Sequence, residues 1–176
     1  MRISCIIPIY NEESRIAAAL EAVSQTKEIN EIICVDDGSI DNSTEVIQKS
    51  FPKVKLISQK TNLGKTAAVT TGLKIARFET ILLLDSDLID LKSNELSKAI
   101  SVFEQNKLDC LLLNTAPMNF LDSLLRKVFR FLLLAAGNRL IDKKNLEEVI
   151  KSDKLKGYQL EIAQNYYLMT KHKNVA

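Results

Sequence analysis

Short apolar runs alternate with amphipathic stretches along the first two thirds of the chain. The apolar runs predict five strands, near residues 3–10, 31–36, 54–58, 80–85 and 109–114. The stretches between them predict four helices, near residues 12–25, 41–50, 65–77 and 93–106. Strands that are apolar on both faces and alternate with helices are typical of a mostly parallel sheet covered on both sides. We therefore predict a doubly wound α/β fold with a helical C-terminal third after residue 115.

Polar clusters follow the first four predicted strands. In chain order they read PIYNEE, VDDGSIDNST, QKTNLGKT and DSDLID. The carboxyl ends of parallel strands meet at one edge of a sheet, and open α/β sheets bind their ligands at that edge. The four clusters therefore predict one binding site.

The fourth cluster places two carboxylates directly after a buried strand. If the strand continues through them, Asp85 and Asp87 point the same way, about 7 Å apart. At an effective dielectric of ~20 their repulsion is roughly 2 kcal/mol, which a divalent cation, a shared proton or open water would offset. Carboxylate oxygens suit Mg²⁺ or Mn²⁺, so Asp85 and Asp87 are candidate metal ligands.

The second cluster combines turn chemistry with two adjacent carboxylates. Gly38 permits a tight turn, and Ser39 or Asp41 can cap the next helix. Capping does not explain Asp36 and Asp37 at the strand end, where an acidic group commonly accepts hydrogen bonds from a nucleoside.

The third cluster contains GKT, which imitates the end of a phosphate-binding P-loop. A P-loop needs a glycine five residues before Gly64, and that position is Gln59, so this motif is excluded. Lys65, beside a predicted helix start, is a candidate partner for a phosphate or carboxylate. A solvated surface lysine is the alternative.

Composition and charge narrow the functional classes. Lys and Arg total 24 against 22 Asp and Glu, so the chain lacks the large excess of basic residues that is typical of nucleic-acid-binding proteins. No apolar run approaches the ~20 residues that span a bilayer, and the first residues lack a signal-peptide layout. Cys5, Cys34 and Cys110 lie in predicted strands without metal-ligand spacing, as buried reduced thiols do. We expect a cytoplasmic protein with no nucleic-acid partner.

In this order the motifs resemble those of the family 2 glycosyltransferases, which have the GT-A fold. The resemblance continues in AGNRLIDKKNLEEV and GYQLEIAQNYY and covers most of the chain. It implies a Rossmann-like sheet flanked by helices, a UDP- or GDP-sugar donor, Mg²⁺ or Mn²⁺, and inversion at the anomeric carbon. It also implies one catalytic domain over 1–176, with a nucleotide-binding part at about 1–115 and an acceptor-side helical part at about 116–176.

The same resemblance implies roles for individual residues. Asp85 and Asp87 form the DxD motif, with Asp87 the direct metal ligand and Asp85 acting on the ribose or through water. Glu161 in GYQLE is the nearest match to the general base, so Glu161 and Asp85 are the candidate catalytic residues. The candidate donor-binding residues are Pro8, Tyr10, Asn11, Glu12, Asp37, Lys65, Asp85 and Ser86.

The chain departs from the family pattern at three points. Thr66 replaces the last glycine of the usual GKG. The chain has no Trp, which excludes the QxxRW motif of processive polysaccharide synthases, and the acidic pair that usually carries the base is not obvious. Such domains usually run longer, so we expect the sequence to stop before the domain ends.

A basic amphipathic stretch at 121–136 gives a prediction about the class of acceptor. Arg126, Lys127 and Arg130 share one side of a helical wheel, with apolar residues opposite. The stretch resembles the equivalent region of polyprenyl-phosphate glycosyltransferases. It predicts peripheral contact with the inner membrane face and a lipid-phosphate acceptor, with a saccharide hydroxyl as the other acceptor class. A core-packing helix with a solvated basic edge is the alternative.

Other functions fit parts of the sequence. A haloacid-dehalogenase-type phosphatase has Thr or Val where Ile89 stands, and its later GDxxxD cluster is not found. A receiver-like domain carries its acidic pair on the first strand, whereas VDD ends the second. A GT-A module that binds a nucleotide sugar or a partner without turnover stays open.

Overall fold

The computed structural model describes residues 1–113, 137–152 and 160–176. The strands are β1 (Ile3–Ile9), β2 (Ile29–Asp36), β3 (Lys55–Ser58), β4 (Thr80–Leu83), β5 (Cys110–Leu112) and β6 (Arg139–Asp142). The helices are α1 (Ile16–Ser24), α2 (Ser43–Ser50), α3 (Lys65–Ile75), α4 (Ser93–Gln105), α5 (Lys143–Lys151) and α6 (Leu160–Thr170).

Six strands form one mixed sheet in the order β3–β2–β1–β4–β6–β5. The first four pair in parallel, whereas β6 runs antiparallel to both β4 and β5. The predicted mostly parallel sheet is confirmed. The chain leaves β1 toward β2 and later returns to the other side of β1 as β4, which creates the switch point where open α/β sheets bind ligands.

Helices cover both faces of the sheet because the central strands are apolar on both faces. Ile6 packs with residues of α3, α5 and α6 on one face. Cys5 and Ile7 pack with residues of α1, α2 and α4 on the other. Successive residues of β1 therefore enter opposite core layers, as the period of two in a strand requires.

The expectation that the chain is helical from residue 115 to the end is wrong at β6. Arg139 begins this four-residue strand and is fully buried, so the segment does not look like a strand in the sequence. It becomes one because Leu140 pairs with Leu82 on β4 and with Leu111 on β5. Within the described residues, the helices α5 and α6 agree with the prediction.

Two other sequence predictions meet the structure here. Cys5, Cys34 and Cys110 are buried free thiols as predicted, and burial raises the pKa of Cys110 to about 11. The stretch 121–136 lies outside the described residues. Within the described part of the chain, no helix has the length and apolar character needed to cross a membrane.

A buried carboxylate ties together the amino ends of the first three strands. Glu31 on β2 accepts hydrogen bonds from Ser4 Oγ and Lys55 Nζ, both at 2.6 Å. It also accepts them from the backbone N–H and Nε of Arg77, at 2.9 and 2.8 Å. Burial acts to raise the pKa of Glu31, but these hydrogen bonds outweigh it and lower the pKa to about 2.

We expect Glu31→Gln to destabilise the protein by about 1–3 kcal/mol at pH 7, because buried hydrogen bonds to a charged group are lost. The lowered pKa means that Glu31 stabilises the fold fully above its unfolded pKa near 4.5, and that this contribution is lost as pH falls toward 2. The wild type and the variant should therefore converge in stability between these pH values.

Chemical denaturation of both proteins from pH 7 to pH 2 measures the difference. Glu45→Gln is the matched control, because Glu45 forms an exposed ion pair with Lys49 on α2. Its substitution should change the free energy of unfolding by less than about 0.5 kcal/mol. A difference between wild type and Glu31→Gln that does not change with pH would contradict the assignment.

Candidate active site

The polar clusters predicted from the sequence converge on one cavity at the carboxyl edge of the sheet. The cavity has a volume of 360 Å³ and is formed by the loops that follow β1, β2, β3 and β4. It is lined by eight of the predicted site residues, which are Pro8, Tyr10, Glu12, Asp37, Lys65, Asp85, Ser86 and Asp87. Asn62 and Gly64 also line it and were not singled out in the sequence.

Asn11 is not among the cavity-lining residues, although the family resemblance implies that it lines the nucleoside pocket. Its backbone has a positive φ of 56°. Its amide oxygen accepts a hydrogen bond from the N–H of Ile40 at 3.0 Å, and its own N–H donates to Ser39 Oγ at 2.9 Å. Asn11 therefore joins the loops after β1 and β2.

Asp37 shapes the loop that carries Lys65. It is buried, and its two carboxylate oxygens accept the N–H groups of Leu63 at 2.8 Å and Gly64 at 2.7 Å. Gly38, the next residue, has a φ of +78°, and a Cβ there would come within 2.8 Å of the Thr61 backbone. The second loop thus packs directly on the third, and Asp37 fixes the start of α3.

The predicted placement of Asp85 and Asp87 on one strand face is wrong. β4 ends at Leu83, and the two carboxylates lie in the turn that follows. Ser86 between them is buried, Asp85 is half-buried and Asp87 is exposed. The pairing of β4 with both of its neighbours, β1 and β6, runs from Thr80 to Leu83 and goes no further.

Lys65 offsets the charge of Asp85. Its Nζ lies 2.7 Å from Asp85 Oδ1 and 2.7 Å from Glu161 Oε1, so the first residue of α3 bridges the β4 turn and α6. Burial opposes charge on Lys65, but the two carboxylates outweigh it and raise its pKa. Burial likewise acts against the charged form of Glu161, yet Lys65 and Arg139 hold the pKa of Glu161 below its usual value.

Three consecutive residues at the start of β6 support this cluster. Asn138 Oδ1 accepts the backbone N–H of Asp85 at 2.7 Å, and Gly137 lies against the Asp85 carboxylate. Burial lowers the pKa of Arg139, while the negative charges of Glu161 and Asp85 act in the opposite direction. The sequence analysis quoted AGNRL only as part of the family resemblance and gave these residues no individual role.

The donor set at this edge fits a hard divalent cation. Asp85 and Asp87 present carboxylate oxygens to the cavity. In residues 1–113, 137–152 and 160–176, no group of three His, Cys, Asp or Glu side chains could hold a metal ion unaided. Mg²⁺ sites commonly use one or two carboxylates and complete their shell with substrate phosphates and water, so the residues present fit such an ion.

A second cavity of 620 Å³ lies beside the first and shares Asp87 with it. Its walls come mainly from the segment after Asp87, from α4 and from β5, and they include Leu91, Leu96 and Leu111. Asp87 therefore lies between the first cavity and a second one whose lining residues are mostly apolar.

Comparison with known proteins identifies the family. The profile of Glycosyl transferase family 2 matches residues 4–166, so the chain belongs to this family. The poly(ribitol-phosphate) beta-glucosyltransferase of Bacillus spizizenii is 43% identical over 94 residues, which cover 49% of this chain and 15% of the relative. The undecaprenyl-phosphate 4-deoxy-4-formamido-L-arabinose transferase of Aeromonas hydrophila is 35% identical over 94 residues, which cover 49% of this chain and 29% of the relative.

A solved structure confirms the GT-A fold. A mannosyltransferase from Pyrobaculum calidifontis, in complex with GDP-Man and Mn²⁺, superposes with a TM-score of 0.73 at 17% identity. The match covers 98% of this chain and 53% of that one. Both curated relatives are matched over less than a third of their length.

We expect Asp37→Asn to destabilise the protein by about 1–3 kcal/mol, because the amide turns one of the two charged acceptor oxygens into a donor that faces a backbone N–H. Denaturant unfolding measures the loss. Asp36→Asn is the matched control: only Oδ1 of Asp36 accepts a backbone hydrogen bond, from Ser39, and an asparagine keeps that oxygen. Equal stability of the Asp37→Asn variant and the control would contradict the structural role of Asp37.

Proposed function

We propose that the chain carries the nucleotide-sugar site and the catalytic centre of a metal-dependent, inverting glycosyltransferase. The donor is a nucleoside diphosphate sugar of the UDP or GDP type. The observation that carries the proposal is the convergence of Tyr10, Asp37, Lys65, Asp85 and Asp87 on one cavity at the switch point of a family 2 chain. The crystal complex of the Pyrobaculum mannosyltransferase with GDP-Man and Mn²⁺ supports this donor class.

The cavity divides naturally into a nucleoside side and a diphosphate side. Pro8, Tyr10 and Glu12 come from the loop after β1, and Asp37 lies on the neighbouring loop. We assign the base and ribose to this side. Asp85, Ser86 and Asp87 come from the turn after β4, where Asp85 contacts Lys65, and we assign the diphosphate to these four residues.

The proposed chemistry needs charge compensation more than it needs covalent participation by the protein. A Mg²⁺ or Mn²⁺ ion held by Asp87, with Asp85 nearby, would supply a Lewis acid for the leaving diphosphate. Lys65 adds a positive charge where negative charge develops. Attack by an acceptor oxygen from the opposite face of the sugar then inverts the anomeric carbon.

The ion pair of Glu161 with Lys65 indicates which class of acceptor the protein uses in our proposal. Glu161 is our candidate general base, but its ion pair with Lys65 stabilises the carboxylate and makes it a weaker base. A phosphate acceptor is already ionised and needs no base, whereas a saccharide hydroxyl does. The ion pair, together with the undecaprenyl-phosphate relative, favours a lipid-phosphate acceptor.

An acceptor of this kind also fits the surroundings of Asp87. The largely apolar cavity that shares Asp87 offers a path for an acceptor toward the sugar. We propose a cytoplasmic protein that contacts the inner membrane face peripherally through 121–136, on the basis of the basic amphipathic pattern of that stretch.

The phosphatase alternative loses its basis because the chain belongs to glycosyltransferase family 2. Binding of a nucleotide sugar without turnover remains the second candidate. It is favoured by the same ion pair, because a Glu161 held by Lys65 is a poor base for a hydroxyl acceptor.

We expect Asp87→Asn to abolish metal-dependent nucleotide binding and to leave the fold intact, because Asp87 is exposed and its substitution uncovers no apolar surface. Calorimetric titration of UDP and then GDP, with Mn²⁺ and with chelator, measures the affinity. In the presence of Mn²⁺ the nucleotide dissociation constant of the variant should rise by more than about tenfold, which corresponds to about 1.4 kcal/mol.

Asp90→Asn is the matched control, since Asp90 is exposed in the same segment and lies outside the 360 Å³ cavity. If Asp87→Asn binds both nucleotides as the wild type does, under both conditions, Asp87 is only a solvated carboxylate and the metal assignment fails.

Glu161→Gln separates the two acceptor classes. With a hydroxyl acceptor we expect transfer to fall about 100-fold or more while donor binding is retained, because the proton acceptor is lost. With a polyprenyl-phosphate acceptor we expect transfer to change by less than about tenfold. Product formation with each acceptor, and donor affinity by calorimetry, give the comparison. Undiminished transfer to a hydroxyl would remove Glu161 as the base.

A further inference from the structure

Lys65 joins three elements that are far apart in the sequence. It begins α3, and its ammonium group contacts Asp85 in the turn after β4 and Glu161 in the first turn of α6, each at 2.7 Å. All three side chains are partly buried, with exposed fractions of 40%, 31% and 16% respectively. The contact is therefore built into the fold and is not a loose pairing at the surface.

The backbone at Gly137 closes over this contact. A Cβ at position 137 would lie 2.6 Å from Asp85 Oδ2 and 2.7 Å from Lys65 Nζ, well inside van der Waals distance. The restriction is one of space, because φ at Gly137 is not in the left-handed region. Asn138 fixes the Asp85 backbone from the same side through its 2.7 Å hydrogen bond. A side chain at 137 would therefore displace the Lys65–Asp85 pair from its present position.

The pairing has a consequence for a divalent cation at Asp85. In the donor-free protein, one Asp85 oxygen already neutralises the Lys65 ammonium. A divalent cation at the same carboxylate would sit close to that ammonium, and the two positive charges would repel each other. A nucleotide diphosphate changes the balance, because its phosphate oxygens are strong partners for an ammonium and can draw Lys65 away from Asp85.

We propose that Lys65 is a cation latch: it holds Asp85 and Glu161 in the donor-free protein and makes binding of the metal ion depend on binding of the nucleotide diphosphate. The latch rests on the proposed function, since it presumes a donor and a metal in this cavity. Because coupling between two ligands is reciprocal, the metal must favour the nucleotide by the same factor by which the nucleotide favours the metal.

The test is a set of four calorimetric titrations: Mn²⁺ alone, Mn²⁺ with saturating UDP, UDP alone, and UDP with saturating Mn²⁺. GDP replaces UDP if UDP does not bind. The coupling factor is the ratio of the two Mn²⁺ dissociation constants. In Lys65→Gln we expect Mn²⁺ alone to bind about fivefold more tightly than in the wild type, UDP with Mn²⁺ to bind more weakly, and the coupling factor to fall by about tenfold.

Lys60→Gln is the matched control for lost charge. Lys60 is exposed in the loop between β3 and α3 and does not line the cavity. This variant should keep the wild-type coupling factor, because an exposed charge outside the cavity is screened by salt.

Gly137→Ala tests the geometry at constant charge. The new Cβ meets only the ends of two flexible side chains, so the Lys65 and Asp85 side chains must shift from their present contact while the backbone stays in place. We expect the wild-type melting temperature within about 5 °C, and a coupling factor reduced at least about threefold. A wild-type coupling factor in Gly137→Ala would mean that Lys65 acts only through its charge, which overturns the latch.

The outcomes distinguish the two proposals. If the wild type binds neither UDP nor GDP with Mn²⁺, the proposed function fails and the latch fails with it. If the wild type binds nucleotide and metal cooperatively and Lys65→Gln retains the same coupling factor, only the latch is overturned. The Lys65→Gln result can therefore overturn the latch even if Gly137→Ala does not fold.

Discussion

The position of β1 between β2 and β4 determines where the chemistry of this protein lies. β1 is apolar on both faces and pairs in parallel with both neighbours, so each side of it receives a strand whose carboxyl end points the same way. The loops after these strands must then meet at one edge. Pro8 and Tyr10, Asp37, and Asp85 with Asp87 reach one cavity because of this pairing, although long helical connections separate them in the chain.

Crowding acidic groups at one edge raises an electrostatic problem, which the fold solves in two ways. The Asp37 carboxylate is stabilised by hydrogen bonding, since its oxygens accept two backbone N–H groups and in doing so position the start of α3. Asp85 is compensated by Lys65, the residue that this same arrangement delivers to the cavity. Asp87 is left exposed, which is the state that a carboxylate needs in order to bind an ion arriving with its substrate.

The antiparallel strand β6 connects the C-terminal part of the chain to the site. It enters the sheet between β4 and β5, so the division into a nucleotide-binding part and an acceptor-side part does not correspond to two separate sheets. Gly137 and Asn138, which precede β6, contact Asp85, and Arg139, its first residue, interacts with the charges of Asp85 and Glu161. Lys65 therefore links the turn after β4 to α6, which follows β6 in the chain.

The sequence by itself determined the layers, the parallel core of the sheet and the edge that carries the polar clusters. These features follow from local signals: the period of apolar residues, and the polar residues that stop each strand. It also supported the family, because its motifs are contiguous. Only the tertiary structure decided that β4 ends before Asp85, that Arg139–Asp142 form a strand, and that Lys65 bridges Asp85 and Glu161. Each of these depends on which distant backbone or charge becomes a neighbour, and no local pattern records that.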